Sequence, residues 1–165
     1  MNKQYHQVLE FTKTFGQPIP LKRALPPKAL QELRGKLSIE ESVELRDAEN
    51  FKKYLDGCTD LLYVALGNFI AAGFQPEDIQ AAMAEVHRSN MSKLWTHDEV
   101  EQVRMGENVT SFGAMTETEF DNRFDVKIAP GYEDLSGKHY IVSRKDGKAM
   151  KSPSFSPPNF SAILP

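Results

Sequence analysis

Apolar residues recur at helical spacing through the first 95 residues of the chain. Breaks in that spacing separate four predicted helices, over about 2–15, 26–46, 51–73 and 75–95. Pro26, Pro27 and Pro76 stand where a helix tolerates proline, in its first turn. Because the connections are short, the pattern predicts an all-α fold built on a compact antiparallel four-helix bundle.

The third predicted helix is apolar on nearly all sides from Leu61 onward, with Gly67 and Asn68 as the exceptions. A helix that is apolar all round is normally buried on every side. In so small a chain, this pattern predicts a core shared with a second copy. We therefore expect a homodimer or a homotetramer.

The pattern changes after residue 95. Residues 96–135 are polar and poorly periodic, with one short helix predicted at 97–105. The segment 139–144 has the residue types of a strand and is followed by a turn at 145–148. A short extended piece at 149–151 is expected to pair with this strand as a β-hairpin.

The last segment, from Ser152, is rich in proline and serine with interspersed aromatic residues. This composition predicts an extended arm that lies on the bundle, because its aromatic and aliphatic side chains need cover. The chain is accordingly divided into a helical domain over 1–95 and a C-terminal extension over 96–165. We expect the extension to pack on the bundle and not to fold independently.

Composition and charge limit the classes of partner that the protein is expected to bind and the compartment in which it is expected to lie. The formal net charge of -3 and the pI near 5.8 give no general affinity for nucleic acid or anionic membranes. Cys58 is the single cysteine, so no intramolecular disulfide forms and a reducing compartment is indicated; we assign it no further role. The N-terminus lacks a signal-peptide layout, and the most apolar stretch, 61–74, is too short to span a bilayer. We expect a cytoplasmic protein.

Carboxylates stand one helical turn apart at the edges of apolar runs. Glu41 and Glu44 form one such pair on the second helix, next to Glu40, and Asp56 and Asp60 form another on the third helix. Carboxylates rarely stay beside a buried surface without compensating positive charge. A hard divalent cation such as Mg²⁺ supplies that charge and prefers oxygen ligands. The sequence therefore predicts a metal site between two antiparallel helices.

Two simpler interpretations compete with the metal site. Ser38 and Glu41 fit a capping box, which would make Glu41 a residue of a helix start. Asp56 could form a solvated pair with Lys52 or Lys53. The capping interpretation is weakened because the helical period of apolar residues runs straight through Ser38.

Further candidates are polar residues with phosphate-binding chemistry. Asn90 and Lys93 share a face at the end of the fourth helix, where a cation is also an ordinary partner of the helix dipole. Lys148 and Lys151 add positive charge at the predicted hairpin, although such lysines often serve solubility alone. The four histidines are interpreted as structural or solvated. No glycine-rich phosphate loop is present, so any phosphate binding would depend on metal.

On the basis of these residues, the chain resembles the all-α nucleoside triphosphate pyrophosphohydrolase superfamily. This superfamily includes MazG, the dimeric dUTPases, the dCTP pyrophosphatases and phosphoribosyl-ATP pyrophosphohydrolase. Its pattern is EExxE on one helix and ExxD on the next. The first half is intact at residues 40–44, and Asp60 matches the final aspartate. Gly57 stands where the glutamate is expected, and the nearest acid is Asp56. Similarity to a phage and bacterial subgroup extends over about 8–95 and 138–164.

The resemblance implies hydrolysis of a nucleoside triphosphate to the monophosphate and pyrophosphate, in the sanitation or control of nucleotide pools. It implies Mg²⁺, or alternatively Mn²⁺, held by four acids: Glu41, Glu44, Asp56 and Asp60. Glu40 and Glu41 would be the catalytic carboxylates, with Glu40 orienting or deprotonating the water. Four residues would bind the substrate: Asn90, Lys93, Lys148 and Lys151. The alternatives are a phosphoribosyl-ATP pyrophosphohydrolase and a non-catalytic helical module that binds a partner.

Overall fold

A computed structural model of the protein describes residues 2–107, 113–131 and 139–164. Within this part of the chain, the elements follow in the order α1 (Asn2–Thr14), α2 (Lys28–Arg46), α3 (Phe51–Ala71), α4 (Pro76–Met91), α5 (His97–Arg104), α6 (Glu117–Arg123), β1 (Phe124–Ile128) and β2 (Tyr140–Arg144). The fold is mostly helical, which agrees with the all-α prediction, and it also contains a small antiparallel sheet of two strands. The four predicted helices are confirmed as α1 to α4.

The chain divides into two compact units, and the boundary falls inside α4. The first unit comprises Met1–Met83 and Phe160–Pro165, and the second unit comprises Ala84–Asn159. Because α4 belongs to both units, the arrangement of α1 to α4 as one four-helix bundle stays a prediction. The functional division predicted at residue 95 also stays a prediction.

The core of the first unit is formed by α1, α3 and the start of α4. Its buried residues are Tyr5, Val8, Leu66, Ile70 and Ile79. The Tyr5 hydroxyl donates to the carbonyl of Phe74 over 3.0 Å, which satisfies the polar end of a buried side chain. Gly73 ends α3 at φ +79°, and a Cβ there would lie 2.8 Å from the carbonyl oxygen of Lys22. Glycine is therefore required where α3 turns into α4.

Helix α3 is only partly buried within the single chain. Its buried residues are Gly57, Leu66, Gly67 and Ile70, so burial is concentrated in the carboxyl-terminal half. Large apolar side chains remain exposed along the rest of the helix, namely Phe51, Tyr54, Leu55, Leu62 and Tyr63. The expectation that a second copy completes the burial of this helix stays a prediction. No single helix among the described residues is long and apolar enough to cross a membrane; by length and composition alone, α3 and α4 together with their 115° bend would qualify.

The second unit has its own core around Trp95. The buried side chains are Trp95, Val100, Val103, Met115, Phe120, Phe124 and Val142. The short helix predicted at 97–105 is confirmed as α5, whereas α6 and β1 were not predicted. Both short helices begin with a reciprocal capping box, formed by Thr96 with Glu99 and by Thr116 with Glu119. Of the poorly periodic stretch at 96–135, residues 108–112 and 132–135 lie outside the described part.

The predicted strand at 139–144 is confirmed as β2, and its main partner is β1, which was not predicted. Strand β2 pairs with β1 in antiparallel register, from Phe124 opposite Arg144 to Ile128 opposite Tyr140. The segment 149–151 also pairs with β2 over a short stretch, through an antiparallel bridge between Ala149 and Ser143 and a hydrogen bond from the Met150 N–H to the carbonyl of Val142 at 2.8 Å. The expected hairpin is therefore present as a short pairing, whereas the longer ladder of five paired positions is formed with β1.

The proline- and serine-rich arm lies along the second half of α4. The Ser152 hydroxyl donates to the carbonyl of Ser92 at 2.9 Å, and the backbone N–H of Ser156 donates to the Ser92 hydroxyl at 3.0 Å. Farther on, the backbone N–H of Asn159 donates to the Glu85 carboxylate at 2.7 Å. The predicted extended arm is therefore confirmed for these residues. After it the chain returns to the first unit, where Arg23 donates to the carbonyl of Ile163 and to Asp78.

Candidate active site

Helices α2 and α3 lie side by side in opposite directions. Leu45, near the end of α2, meets Gly57, near the start of α3. Arg34, in the first half of α2, meets Gly67 in the second half of α3. Residue numbers that fall along one helix while they rise along the other define an antiparallel pair. This arrangement brings residues 40–44 opposite the segment of α3 that carries Asp60.

Gly57 is required by the close approach of these helices. A Cβ at this position would lie 2.9 Å from the Cα of Leu45 and 3.0 Å from its backbone nitrogen. Because both are backbone atoms, a larger residue would push α2 and α3 apart. This explains why no glutamate stands at the position where the EExxE and ExxD pattern expects one. Asp56 is left as the nearest acid on α3.

A polar cluster between the two helices was missed at the sequence level. Arg34 donates through Nε to Asn68 Oδ1 and through Nη2 to the carbonyl of Val64, both at 2.7 Å. Asn68 donates in turn to the Ser38 hydroxyl at 3.2 Å. A Cβ at Gly67 would lie 2.0 Å from Arg34 Nη2, so glycine makes room for the guanidinium. The signal was available, since Gly67 and Asn68 are the exceptions in an otherwise apolar run.

The competing interpretations of the acids are not supported. Ser38 lies inside α2 and its hydroxyl donates to the carbonyl of Arg34 at 2.9 Å, so the capping-box interpretation of Ser38 and Glu41 is wrong. Lys53 forms its ion pair with Glu49 at 3.0 Å. Within the described ranges, Asp56 forms no ion pair with Lys52 or Lys53.

The electrostatics place the predicted acids near one another. Burial raises the pKa of Glu41, and negative charge on neighbouring acids raises that pKa further; in order of influence they are Asp60, Glu44, Glu40 and Asp56. Glu41 is half-buried, while those four side chains are exposed. Among residues that the structure describes, no Lys or Arg lies within ion-pair distance of these five acids. The two helices thus concentrate negative charge without a protein cation to balance it.

The donor chemistry of this acidic cluster fits a hard divalent cation. All five side chains supply carboxylate oxygens, the ligands that Mg²⁺ prefers. As they stand, no three Asp, Glu, His or Cys side chains in the described part lie close enough to hold a metal ion. Four of the acids are exposed, so their side chains have room to change rotamer toward a common ion.

The predicted substrate-binding residues all lie in the second unit, separate from the acids in the first. Lys93 donates to Asn90 Oδ1 at 2.7 Å, so these two side chains share a face as expected. Lys148 is exposed at the turn after β2, and the Lys151 ammonium lies 4.4 Å from the centre of the Phe155 ring. Their joint action with the acidic cluster stays a prediction.

The fold and the acidic cluster define a helical protein whose candidate site is rich in oxygen ligands and lacks a basic counter-charge. Residues 8–90, half of the chain, match the family described as phosphoribosyl-ATP pyrophosphohydrolase, PRA-PH. The chain therefore belongs to this family, which is part of the MazG-like nucleoside triphosphate pyrophosphohydrolase superfamily. A comparison with curated proteins finds no match.

Family membership gives the general chemistry. The protein is a hydrolase that acts on phosphorus-containing anhydrides, and its activity is that of a pyrophosphohydrolase on nucleotides. Pyrophosphohydrolases of the MazG-like type generally use divalent metal ions. The matched residues include all five members of the acidic cluster.

Proposed function

We propose that the protein is a Mg²⁺-dependent nucleoside triphosphate pyrophosphohydrolase that releases a nucleoside monophosphate and pyrophosphate. The acidic cluster on α2 and α3 carries this proposal: the described part of the chain offers these five carboxylates no Lys or Arg within ion-pair distance, and the pKa of Glu41 is raised by burial and then by its four acidic neighbours. Concentrated negative charge is costly unless a cation binds there. The biological role that follows is sanitation or control of nucleotide pools.

Four acids would hold the metal: Glu41, Glu44, Asp56 and Asp60. When bound, Mg²⁺ supplies positive charge to the phosphate oxygens and lowers the pKa of a water molecule. Mn²⁺ has similar ligand preferences and is the natural substitute. Asp56 would replace the glutamate that Gly57 excludes, because both positions lie one turn or less from Asp60.

Glu40 would serve as the acceptor of the water proton. It lies beside Glu41 in the sequence, is exposed, and contributes to the raised pKa of that neighbour. Water adds its oxygen to one phosphorus of the α–β anhydride, the P–O–P bond opens, and the water proton passes to Glu40. Asn90 and Lys93 would hold the nucleotide, and Lys148 or Lys151 would neutralise charge on the outer phosphates.

A product assay tests the activity directly. The protein is incubated with Mg²⁺ and each common NTP and dNTP, and also with phosphoribosyl-ATP, and the products are separated. Monophosphate plus pyrophosphate from a nucleoside triphosphate is the expected result. Cleavage of phosphoribosyl-ATP alone would favour the second candidate, which the family description supports. No turnover with Mg²⁺ or Mn²⁺ would contradict both and favour a non-catalytic module.

A second copy of the chain is proposed to cover the apolar face of α3. Phe51, Tyr54, Leu55 and Leu62 are exposed and recur at helical spacing. By that spacing they lie on the side of α3 away from Gly57 and Asp60, so the acidic cluster would stay accessible in the assembly. Light scattering on the wild type and on Leu55→Glu tests this: a smaller species is expected for the variant, and a wild-type monomer would contradict the proposal.

A further inference from the structure

A small cavity lies in the first unit beside the polar cluster between α2 and α3. Its volume is about 130 Å³. Most of its wall is apolar and comes from Pro18, Leu30, Leu33, Leu37 and Ala71. Polar groups reach it from Thr12, Gln17 and Arg34. An apolar wall with a few polar groups is the usual construction of a small-molecule site.

Arg34 carries a charge that no acid balances in the described part of the chain. Its two described hydrogen bonds go to neutral acceptors, Asn68 Oδ1 and the carbonyl of Val64. Burial lowers the pKa of its guanidinium. A guanidinium has five N–H donors, so these two bonds leave donors for another oxygen. Arg34 is therefore suited to a carbonyl oxygen of a ligand in the cavity.

The cavity has the size of one six-membered ring. An engineered cavity of about 150 Å³ lined by aliphatic and aromatic side chains binds a single benzene molecule. A volume of about 130 Å³ is close to that size and leaves little space for the second ring of a purine. The volume thus favours a pyrimidine base, whose ring also carries a carbonyl oxygen next to the glycosidic nitrogen.

The position of the cavity relative to the acidic cluster fits a nucleotide. Arg34 and Glu41 are seven residues apart on α2, which places them on the same side of the helix. At 1.5 Å per residue the separation along the axis is about 10.5 Å, roughly two turns. An extended nucleotide can reach from its base to its outer phosphates over this distance.

We propose that this cavity binds the base of a pyrimidine nucleotide and that Arg34 selects it by donating to a ring carbonyl oxygen. The proposal rests on the proposed function, with the triphosphate at the acidic cluster. Gln17 and Thr12 face the cavity and supply further polar contacts to the base. Phosphoribosyl-ATP carries a purine, so a site built in this way disfavours it.

A substrate panel gives the first test. The wild type is expected to show kcat/KM at least roughly tenfold higher for dCTP, dUTP and dTTP, taken as a class, than for dATP and dGTP, since pocket fit is worth about that much. Equal turnover of purines and pyrimidines would overturn the base proposal and leave the hydrolase intact. Absence of any turnover would instead overturn the proposed function. The NMR binding test described below would then show by itself whether the cavity binds a pyrimidine base.

Two variants separate recognition from stability. Ala71→Leu fills the cavity and is expected to lower pyrimidine kcat/KM about tenfold or more without lowering Tm, because added apolar volume occupies empty space. Arg34→Gln is expected to raise KM for pyrimidine nucleotides with little change in kcat. Arg46→Gln, on the same helix at an exposed ion pair with Asp47, is the matched control and should behave as wild type. Unchanged pyrimidine kinetics in Ala71→Leu would overturn the proposal.

Binding without turnover gives an independent measure. Methyl resonances of Leu30, Leu33 and Leu37 are followed by NMR while CMP, UMP or AMP is added without divalent metal. Shifts of these methyl groups with CMP or UMP, and not with AMP, are expected. No shift with either pyrimidine nucleotide, or larger shifts with AMP, would overturn the assignment of the pocket.

Discussion

Two carboxylates, one in each unit, show how differently the same chemical group is used in this protein. Glu85 accepts from Arg88 and from the backbone N–H of Asn159, and these donors lower its pKa to about 2. Glu41 has the opposite surroundings, since burial and four other acids raise its pKa. An acid whose hydrogen-bonding needs are met by the fold holds structure together. An acid that the fold leaves uncompensated is available to a ligand.

The strongest way to break this comparison is to neutralise each carboxylate. We expect Glu41→Gln to reduce nucleotide hydrolysis by roughly a hundredfold or more, because a group that acts in the chemistry is lost. Glu85→Gln should keep activity near wild type, since its amide oxygen still accepts from Asn159. Steady-state rates of pyrophosphate release measure both. Comparable losses in the two variants would mean that the local charge does not distinguish their roles.

A divalent cation should stabilise the acidic cluster. At a Mg²⁺ concentration about 100 times Kd, linkage predicts stabilisation by about 2.7 kcal/mol, visible as a rise in Tm. Asp60→Asn should abolish most of that rise, whereas Glu32→Gln, an exposed acid elsewhere on α2, should retain it. Scanning calorimetry with and without Mg²⁺ makes the measurement. An equal rise in both variants would place the bound metal elsewhere.

Two glycines, Gly57 on α3 and Gly35 on α2, test whether the close contact between these helices brings the acids together. Gly57→Ala places a methyl group 2.9 Å from the backbone of Leu45 and should destabilise the protein by roughly 1–3 kcal/mol, as overpacking does. Gly35 has nothing within 4 Å of its potential Cβ, so Gly35→Ala should stabilise the helix by about 1 kcal/mol. Urea unfolding of the pair gives both values. Equal effects would contradict the close helix contact at Gly57.

Acid titration should show that the pKa values of Glu85 and Glu41 are shifted in opposite directions. Glu85 has a depressed pKa, so its contribution is present above about pH 4.5 and is lost as the pH falls through about 2. Glu41 has a raised pKa, so its unfavourable charge is relieved as the pH falls through that raised value. Carboxyl carbon NMR of the two residues, with the Asn159 amide as a reporter of the arm, tests this. A Glu41 midpoint below that of Glu85 would contradict the comparison.

The sequence predicted the long elements well because their period is repeated over several turns. Helices α1 to α4 and α5 were located by spacing and by proline. Helix α6 and strand β1 are short and adjacent, so neither repeats a period often enough to be recognised. The pattern T-x-x-E at Thr96 and Thr116 was nevertheless visible and marks the start of both short helices.

The candidate site could be predicted only in part. The acids on α2 and α3 were identified because a three- or four-residue step fixes their side of a helix. Arg34 was missed because its role depends on Gly67 and Asn68 of another helix, and although these two residues stood out in the apolar run, no local pattern links them to Arg34. The hydrophobicity of α3 did indicate that one small chain supplies too little cover for this helix, and its cover by a second copy stays a prediction.

The contact between Arg23 and Ile163 bears on the order in which the molecule is made. These two residues are 140 positions apart, and the whole of the second unit is translated between them. A ribosome therefore delivers every residue of the second unit before the first unit receives the last of its own. On a nascent chain, the core around Trp95 can therefore form before Ile163 has been synthesised and before Arg23 can donate its hydrogen bond to that carbonyl.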